Sequence, residues 1–240
     1  MTVPRVLTIG VGGATSSGKT TLAKHLVDLL SPALHLFNER HGEVPSSTSQ
    51  AAPPSEAASV SDVLIVHQDD FAPREEDLPM HPEMNVRDWD TPQGSIDYER
   101  LSAVLHHLRE EGKLPASHSS HDHLNNLPEV PLPDEFRTRW RSRFKEALRV
   151  SSAPAASPTE ASAKSKGRLV VAIVDGFLLY YSQAVRTQLD VKFFLRIQKE
   201  TLQRRREARQ GYATAEGTYW KVRSRHAADS VRADYDLLPL

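Results

Sequence analysis

One short glycine-rich motif near the N-terminus constrains this chain more than any other feature. Residues 13–20 read Gly-Ala-Thr-Ser-Ser-Gly-Lys-Thr, which fits the pattern G-x-x-x-x-G-K-[ST] at every fixed position. The apolar run Val6–Val11 precedes the motif, and an amphipathic helical pattern from Lys19 to Leu30 follows it. A strand, a glycine-rich turn and a helix in this order predict a loop that binds a phosphate group.

The residue types in the motif indicate how such a loop would hold a nucleoside triphosphate. Glycines allow the backbone to wrap around a phosphate with its N–H groups pointing inward. We expect Lys19 to reach the β- and γ-phosphates of ATP and the Thr20 hydroxyl to bind Mg²⁺. The predicted nucleotide-binding residues, including one arginine from a later helix, are Gly13, Ala14, Thr15, Ser16, Ser17, Gly18, Lys19, Thr20, Thr21 and Arg204.

The rest of the chain alternates apolar runs with helical patterns. The further predicted strands are Val63–Val66, Leu169–Val174 and Val191–Ile197, and the further predicted helices are Tyr98–Glu110, Asp134–Val150 and Lys199–Gln210. Strands that are apolar throughout are typical of a parallel sheet covered by helices on both faces. The chain therefore predicts one α/β domain over residues 1–240, with a mostly parallel sheet of the P-loop NTPase kind.

Polar, low-complexity segments interrupt this pattern. Residues 38–61 and 114–167 are predicted to be flexible insertions, the second of which contains the basic helix near 134–150. Pro32 is expected to end the first helix. The last segment, 213–240, is polar and has no clear periodicity, so we expect either a variant tail or the product of truncation or mis-splicing.

Composition excludes several classes of protein. Lys and Arg number 30 against 31 Asp and Glu, a net charge of −1, which argues against non-specific binding to nucleic acid or to an anionic membrane. The chain has 0 cysteines, which excludes disulfides and thiolate metal sites. The first strand is predicted to begin near Arg5, so we expect no cleaved leader. We expect a cytoplasmic protein, with the nucleus as an alternative, that is a monomer or weak homodimer with small-molecule partners.

Carboxylates follow two of the predicted strands. Asp69 and Asp70 come directly after the second strand, and Asp175 ends the third. Ligands bind at this edge of open α/β sheets, where a carboxylate can accept the proton of an alcohol that receives a phosphoryl group. Asp175 is placed to hold Mg²⁺ from the side opposite Thr20. The alternative for each is an ordinary strand-ending turn.

The predicted last helix carries Arg204, Arg205, Arg206 and Arg209. Adjacent arginines point in different directions around a helix, so only one or two can face a ligand. We expect one of them to neutralise charge on a transferring phosphoryl group, with a solvated basic face as the alternative. The histidines at 118, 121 and 123 lie in a polar loop and are not interpreted as a metal site. The basic helix is interpreted as a solvated face and not as a nucleic-acid surface.

Taken together, five segments resemble the nicotinamide riboside kinases, especially the fungal type. They read GGATSSGKTTLAKHL, HQDDF, NVRDWDTP, VDGFLLYY and LQRRREARQGY, and the similarity covers residues 3–31, 62–110 and 168–212. This family is a branch of the P-loop nucleoside kinases near uridine kinase. The resemblance implies a three-layer sandwich like that of the nucleoside-monophosphate kinases. It also implies transfer of the ATP γ-phosphate to the 5′-hydroxyl of nicotinamide riboside, or of nicotinic acid riboside, in NAD synthesis.

The resemblance also implies residue roles. Asp69 is similar to the family's catalytic base, Thr20 and Asp175 to its magnesium ligands, and Asp90 to the carboxylate that holds the ribose hydroxyls. Trp89 resembles the aromatic residue over the nicotinamide ring, where an indole suits a pyridinium cation. The resemblance implies catalytic roles for Asp69, Lys19 and Arg206. The implied substrate-binding residues are Asp69, Asp70, Trp89, Asp90, Arg206 and Tyr212.

The resemblance weakens after Tyr212, where family members carry a P-P-G-Y type loop and a W-P-x-Y helix. This chain reads ATAEGTYWKVRSRHAADSVRADYDLLPL instead. That difference leaves open a nucleotide-binding protein with little or no catalytic activity. The other alternative is a uridine/cytidine-type kinase on the same scaffold.

Overall fold

The computed structural model describes residues 4–41, 62–82, 85, 87–88, 91–121, 129–151 and 168–208. Most of the first predicted insertion, part of the second and all of the tail lie outside these residues. Trp89, Asp90 and Tyr212 also lie outside them. The elements in chain order are β1 (Arg5–Gly13), α1 (Lys19–His41), β2 (Val63–His67), α2 (Pro92–Ser95), α3 (Tyr98–Glu111), α4 (Asp134–Ser151), β3 (Leu169–Gly176), α5 (Gln183–Arg186), β4 (Val191–Leu195) and α6 (Lys199–Glu207).

The described strands form one parallel sheet in the order β2-β3-β1-β4. β3 is buried along its whole length, as its run of apolar residues predicts. In the register, His67 of β2 and Val11 of β1 both lie beside Asp175 of β3. The carboxyl ends of the central strands therefore meet at one edge of the sheet, next to the loop that joins β1 to α1.

Apolar clusters cover both faces of this sheet, because side chains along β3 alternate between the faces. On one face the sheet packs against α3 and α5, with buried residues that include Val66, Leu101, Leu105, Val174 and Val185. On the other face it packs against α1, with buried residues that include Val11, Ala23, Leu34, Val171 and Ile173. The predicted α/β sandwich with a parallel sheet is confirmed.

The first helix is longer than predicted, and the expectation that Pro32 ends it is wrong. α1 runs through Pro32 to His41. Proline lacks the N–H that would bond to the carbonyl of Asp28 one turn earlier. Arg141 of α4 supplies the missing donors, with Nη2 and Nε at 3.1 and 3.2 Å from the Asp28 carbonyl oxygen. A contact distant in sequence therefore compensates for the break in the helix ladder.

The extra turns of α1 include residues 38–41, which the sequence assigned to the first insertion. Asn38 joins the end of this helix to the beginning of β3. Its Nδ2 donates to the Leu169 carbonyl at 2.8 Å, and its Oδ1 accepts from the Leu169 N–H at 2.7 Å. This side-chain amide therefore pairs with both backbone polar groups of Leu169 and connects the end of α1 to the sheet.

Replacing Arg141 with alanine is expected to lower the free energy of unfolding by about 1–3 kcal/mol, because the Asp28 carbonyl loses its charged donor. Urea denaturation followed by circular dichroism measures this loss. Arg149→Ala is the matched control, since Arg149 pairs with Glu146 on an exposed part of the same helix. Equal losses in the two variants would contradict the role of Arg141.

The predicted helices near 98–110, 134–150 and 199–210 are present with small shifts at their ends. α4 packs along α1, where Arg137 Nε lies 3.0 Å from Asp28 Oδ2. The polar segment before α3 contains short helical turns and a bridge between Met80 and Arg87. Among the described residues, no helix combines the length and the hydropathy that a membrane crossing requires.

Candidate active site

The loop between β1 and α1 has the backbone shape that its glycines predict. Gly13 has φ +147° and Gly18 has φ +100°, angles that residues with a side chain rarely adopt. A Cβ on Gly13 would also lie 2.8 Å from the Leu195 carbonyl oxygen of β4. Ser16 has a positive φ of 67° as well, so the chain turns tightly ahead of the first helical residue, Lys19.

Several polar groups of this loop fit a phosphate group. The hydroxyls of Ser16 and Ser17 are buried and have no hydrogen-bond partner among the described residues. Buried hydroxyls without partners are costly, and phosphate oxygens would accept hydrogen bonds from them. Lys19 Nζ lies 3.0 Å from the Ala14 carbonyl oxygen, which keeps the ammonium group over the loop. The loop thus has cationic and hydroxyl donors in the place where its sequence predicts a triphosphate.

Thr20 and Asp175 meet at the predicted metal position. The Thr20 hydroxyl donates to Asp175 Oδ2 at 2.7 Å, although the two residues are 155 positions apart. The second oxygen, Oδ1, lies 2.7 Å from Nδ1 of His67. Asp175 is buried, and neighbouring side chains hold both of its carboxylate oxygens.

The donor atoms at this position suit Mg²⁺. Magnesium in phosphate-transfer sites takes one or two protein oxygens and fills its other positions with water and phosphate oxygens. A hydroxyl and a carboxylate oxygen from Thr20 and Asp175 match that requirement. Within the described part of the chain, no three histidines or carboxylates come together as a self-sufficient metal site. Of the three histidines that were predicted not to form a metal site, the structure describes His118 and His121, and His123 lies outside the described residues.

Asp69 lies on a single helical turn, residues 68–71, that follows β2 directly. Its side chain remains accessible to solvent, although protein atoms surround the carboxylate on most sides. The loss of surrounding water raises the pKa of Asp69, and the negative charge of Asp175 raises it further. Lys19 and His67 act in the opposite direction and lower this pKa. Asp69 is therefore close enough to Lys19 and Asp175 to share one electrostatic environment with them.

Asp70 has a different set of neighbours from Asp69. Its buried carboxylate accepts a hydrogen bond from the backbone N–H of His121 at 2.8 Å, and its Oδ2 lies 3.9 Å from Nε2 of His118. The His118 ring stacks on Phe71 with centroids 5.5 Å apart, and burial lowers the pKa of His118. Asp70 thus anchors the segment that follows α3. A role for Asp70 in substrate binding stays a prediction.

Among the adjacent arginines, Arg205 is the one that the structure places beside the phosphate loop. Its Nη1 lies 3.5 Å from the Ser16 carbonyl oxygen. Arg204 is exposed on α6, and the Arg206 side chain lies outside the part of the chain that is described. The sequence does not distinguish Arg205 from its neighbours, because adjacent residues on a helix differ by about 100° in direction and a short polar helix has no apolar pattern that shows which side faces the protein.

Arg205→Ala is expected to lower kcat/KM by roughly tenfold or more. The substitution removes the charged guanidinium group beside the phosphate loop, and a hydrogen bond made by a charged group contributes about 1.5–3 kcal/mol. Arg204→Ala is expected to have a smaller effect, because it is Arg205 whose guanidinium lies 3.5 Å from the Ser16 carbonyl oxygen. Steady-state kinetics with varied Mg·ATP measures both. A larger loss for Arg204→Ala would mean that α6 presents a different face to the nucleotide.

His67 is the second residue of the site that sequence analysis did not identify. It ends β2 and lies in register with Asp175, and its side chain is buried. His67 is the first residue of the segment HQDDF and the last residue of β2. Its position at a strand end, next to Asp69 and Asp70, was the one sign of a role that the sequence contained. Only the strand order shows that β2 and β3 are adjacent.

A parallel sheet with this glycine-rich loop after its first strand defines a protein of the P-loop nucleotide-binding α/β class. No protein-family model matches the chain. Three curated proteins do match, and all three are named nicotinamide riboside kinase.

The protein from Eremothecium gossypii is 25% identical over 215 residues, which span 90% of this chain and 68% of that protein. The Schizosaccharomyces pombe protein is 26% identical over 217 residues, 90% of this chain and 72% of its own length. The Saccharomyces cerevisiae protein is 24% identical over 228 residues, 92% of this chain and 72% of its own length. The predicted resemblance to the fungal nicotinamide riboside kinases is confirmed.

Proposed function

We propose that this chain transfers the γ-phosphoryl group of ATP to the 5′-hydroxyl of nicotinamide riboside, giving nicotinamide mononucleotide and ADP. The observation that carries the proposal is the meeting of Lys19, Thr20, Asp69 and Asp175 at one edge of the sheet. Three relatives named for this activity support the broader assignment, a phosphotransferase with an alcohol acceptor.

Asp69 is the proposed general base. The 5′-hydroxyl oxygen attacks the γ-phosphorus and gives its proton to the Asp69 carboxylate, while the bond from the γ-phosphorus to the β,γ-bridging oxygen breaks. A base is most effective when its pKa lies near the working pH, so a raised pKa of Asp69 favours this role. The exposed face of Asp69 leaves room for an acceptor alcohol to approach.

Lys19 and the phosphate loop are proposed to hold the triphosphate. The Lys19 ammonium group and the unpaired hydroxyls of Ser16 and Ser17 offset the negative charge of the phosphates. Thr20 and Asp175 would hold Mg²⁺, which would supply neutralisation of the phosphate charge when bound. Arg205 adds a positive charge on the α6 side of the loop.

The choice of nucleoside rests on the sequence and on the names of the relatives. Trp89 and Asp90 lie outside the described residues, and their proposed roles are to cover the pyridinium ring and to bind the ribose hydroxyls. A cation over an indole face gains about 0.5–2 kcal/mol. Nicotinic acid riboside is the proposed second substrate. In this proposal the reaction belongs to NAD salvage.

Turnover on nicotinamide riboside, nicotinic acid riboside and uridine under the same Mg·ATP conditions tests the proposed function. We expect nicotinamide riboside to have the highest kcat/KM. Faster phosphorylation of uridine would instead support a pyrimidine nucleoside kinase. A thermal shift with Mg·ATP but no product in a single-turnover assay would support a nucleotide-binding protein without catalytic activity.

A further inference from the structure

The polar edge of the sheet begins with a residue pair of which the proposed reaction uses only one member, Asp175. His67 and Asp175 are directly opposite each other in the register of β2 and β3. The preceding pair, Val66 and Val174, belongs to the apolar core. The side chains of His67 and Asp175 are only 11% and 5% exposed, and His67 Nδ1 lies 2.7 Å from Asp175 Oδ1.

The chemistry of the two groups fixes which one donates. An ionised carboxylate can only accept hydrogen bonds, so the proton between these atoms belongs to Nδ1 of His67. Asp175 therefore receives one donor on each oxygen, the His67 Nδ1–H on Oδ1 and the Thr20 hydroxyl on Oδ2. The donors come from two different elements, β2 and α1. Together they fix both the rotation and the plane of the carboxylate.

We infer that His67 is a positioning residue, whose Nδ1–H holds the Asp175 carboxylate so that Oδ2 faces Thr20 and the magnesium position. This inference rests on the proposed function only as far as Asp175 and Thr20 bind the metal of a metal·nucleotide complex. It does not depend on which nucleoside is the acceptor. Hydrogen bonds that orient a metal-binding group typically change metal affinity by about 10- to 100-fold when they are removed.

The geometry separates this role from simple filling of space. A residue that only fills space at the end of β2 could be replaced by any side chain of similar volume. A positioning residue requires a donor at the Nδ1 location and not elsewhere on the ring. The amide nitrogen of asparagine takes nearly the place of Nδ1, whereas that of glutamine lies one methylene further along, nearly at the place of Nε2.

The test therefore compares His67→Asn, His67→Gln and His67→Ala. Binding of Mn²⁺ to the full chain with a non-hydrolysable ATP analogue, and with no nucleoside present, is measured by electron paramagnetic resonance. We expect His67→Asn to bind Mn²⁺ within about threefold of the original chain. We expect His67→Gln and His67→Ala to bind it about tenfold or more weakly. In turnover assays, the Mg²⁺ concentration for half-maximal rate is expected to follow the same order, with the KM for the nucleoside unchanged.

The matched control is His106→Ala, because the His106 side chain is 69% exposed on α3 and pairs only locally with Glu110. Equal losses of Mn²⁺ affinity in the asparagine and glutamine variants would overturn the inference, as would full affinity in His67→Ala. If the alanine variant does not fold, the asparagine and glutamine pair still decides the result. Failure of the proposed nucleoside specificity would leave the Mn²⁺ measurement unaffected, so the two proposals fail separately.

Discussion

Asp69→Asn is expected to lower kcat by about 10²–10⁴-fold, the range that a positioned general base contributes. Asparagine keeps the size and polarity of the side chain but cannot accept the proton of the acceptor hydroxyl. ATP affinity is expected to stay the same, because Lys19 and the phosphate loop are untouched. Single-turnover kinetics and a separate ATP titration measure the two quantities.

Asp77→Asn is a suitable control for this substitution. Asp77 is an exposed carboxylate that lies ten residues after the end of β2 and pairs with Arg74. We expect the control variant to turn over at the original rate. Undiminished turnover in Asp69→Asn would remove Asp69 from the role of base and leave only the nucleotide-binding part of the proposal.

The raised pKa of Asp69 predicts the acid side of the pH profile. The base must be deprotonated, so kcat/KM is expected to increase with pH through the pKa of Asp69, which lies above its ordinary value of 3.8. Lys19 lowers this pKa, so Lys19→Ala is expected to move the acid side of the profile to higher pH. An acid limb at or below the ordinary value would contradict this electrostatic environment.

The same pKa shift predicts an effect on stability, with a definite sign. A carboxyl group whose pKa is raised on folding binds its proton more tightly in the folded chain than in the unfolded chain. Its ionisation therefore costs stability, and the cost develops as the pH rises from 3.8 through the higher folded pKa. We expect Asp69→Asn to have a higher Tm than the original chain at neutral pH, with the difference vanishing in acid.

Lys19→Ala is expected to lower kcat/KM by about 10²–10³-fold, the loss typical of removing one charged donor from a preorganised site. The ammonium group of Lys19 lies over the loop, at 3.0 Å from the Ala14 carbonyl oxygen. Kinetics over a range of Mg·ATP concentrations, together with calorimetric ATP binding, measure the loss.

Lys24→Ala provides the comparison for this variant. Lys24 lies on α1 one to two turns beyond Lys19, and its side chain is exposed. The two substitutions remove the same charge from the same helix. A similar loss in both would mean that the effect comes from the net charge of α1 and not from the position of Lys19 over the loop.

The local features of this protein were readable from its sequence. The glycine-rich loop is a continuous motif, and its backbone angles follow from which residues are glycine. The four described strands are largely apolar, and each of them was predicted near its observed bounds. Asp69 and Asp175 were placed at strand ends from their positions in the chain alone.

Other features depend on residues that are far apart in sequence. Pro32 did not end α1, because Arg141, 113 positions from Asp28, supplies the missing donors. Asp69 and Asp70 are adjacent but face different partners, and Arg205 rather than Arg204 lies against the loop. The order of the strands placed His67 beside Asp175.

The sequence by itself determined the phosphate loop, the α/β class and the strand-end carboxylates, because each follows from short-range periodicity and the backbone preferences of glycine. Only the tertiary structure decided which side chains share an environment, namely Thr20 and His67 around Asp175 and the charges that act on Asp69. The physical reason is that hydrogen bonds and electrostatic shifts depend on distances between elements, and the packing of the whole sheet and its helices sets those distances.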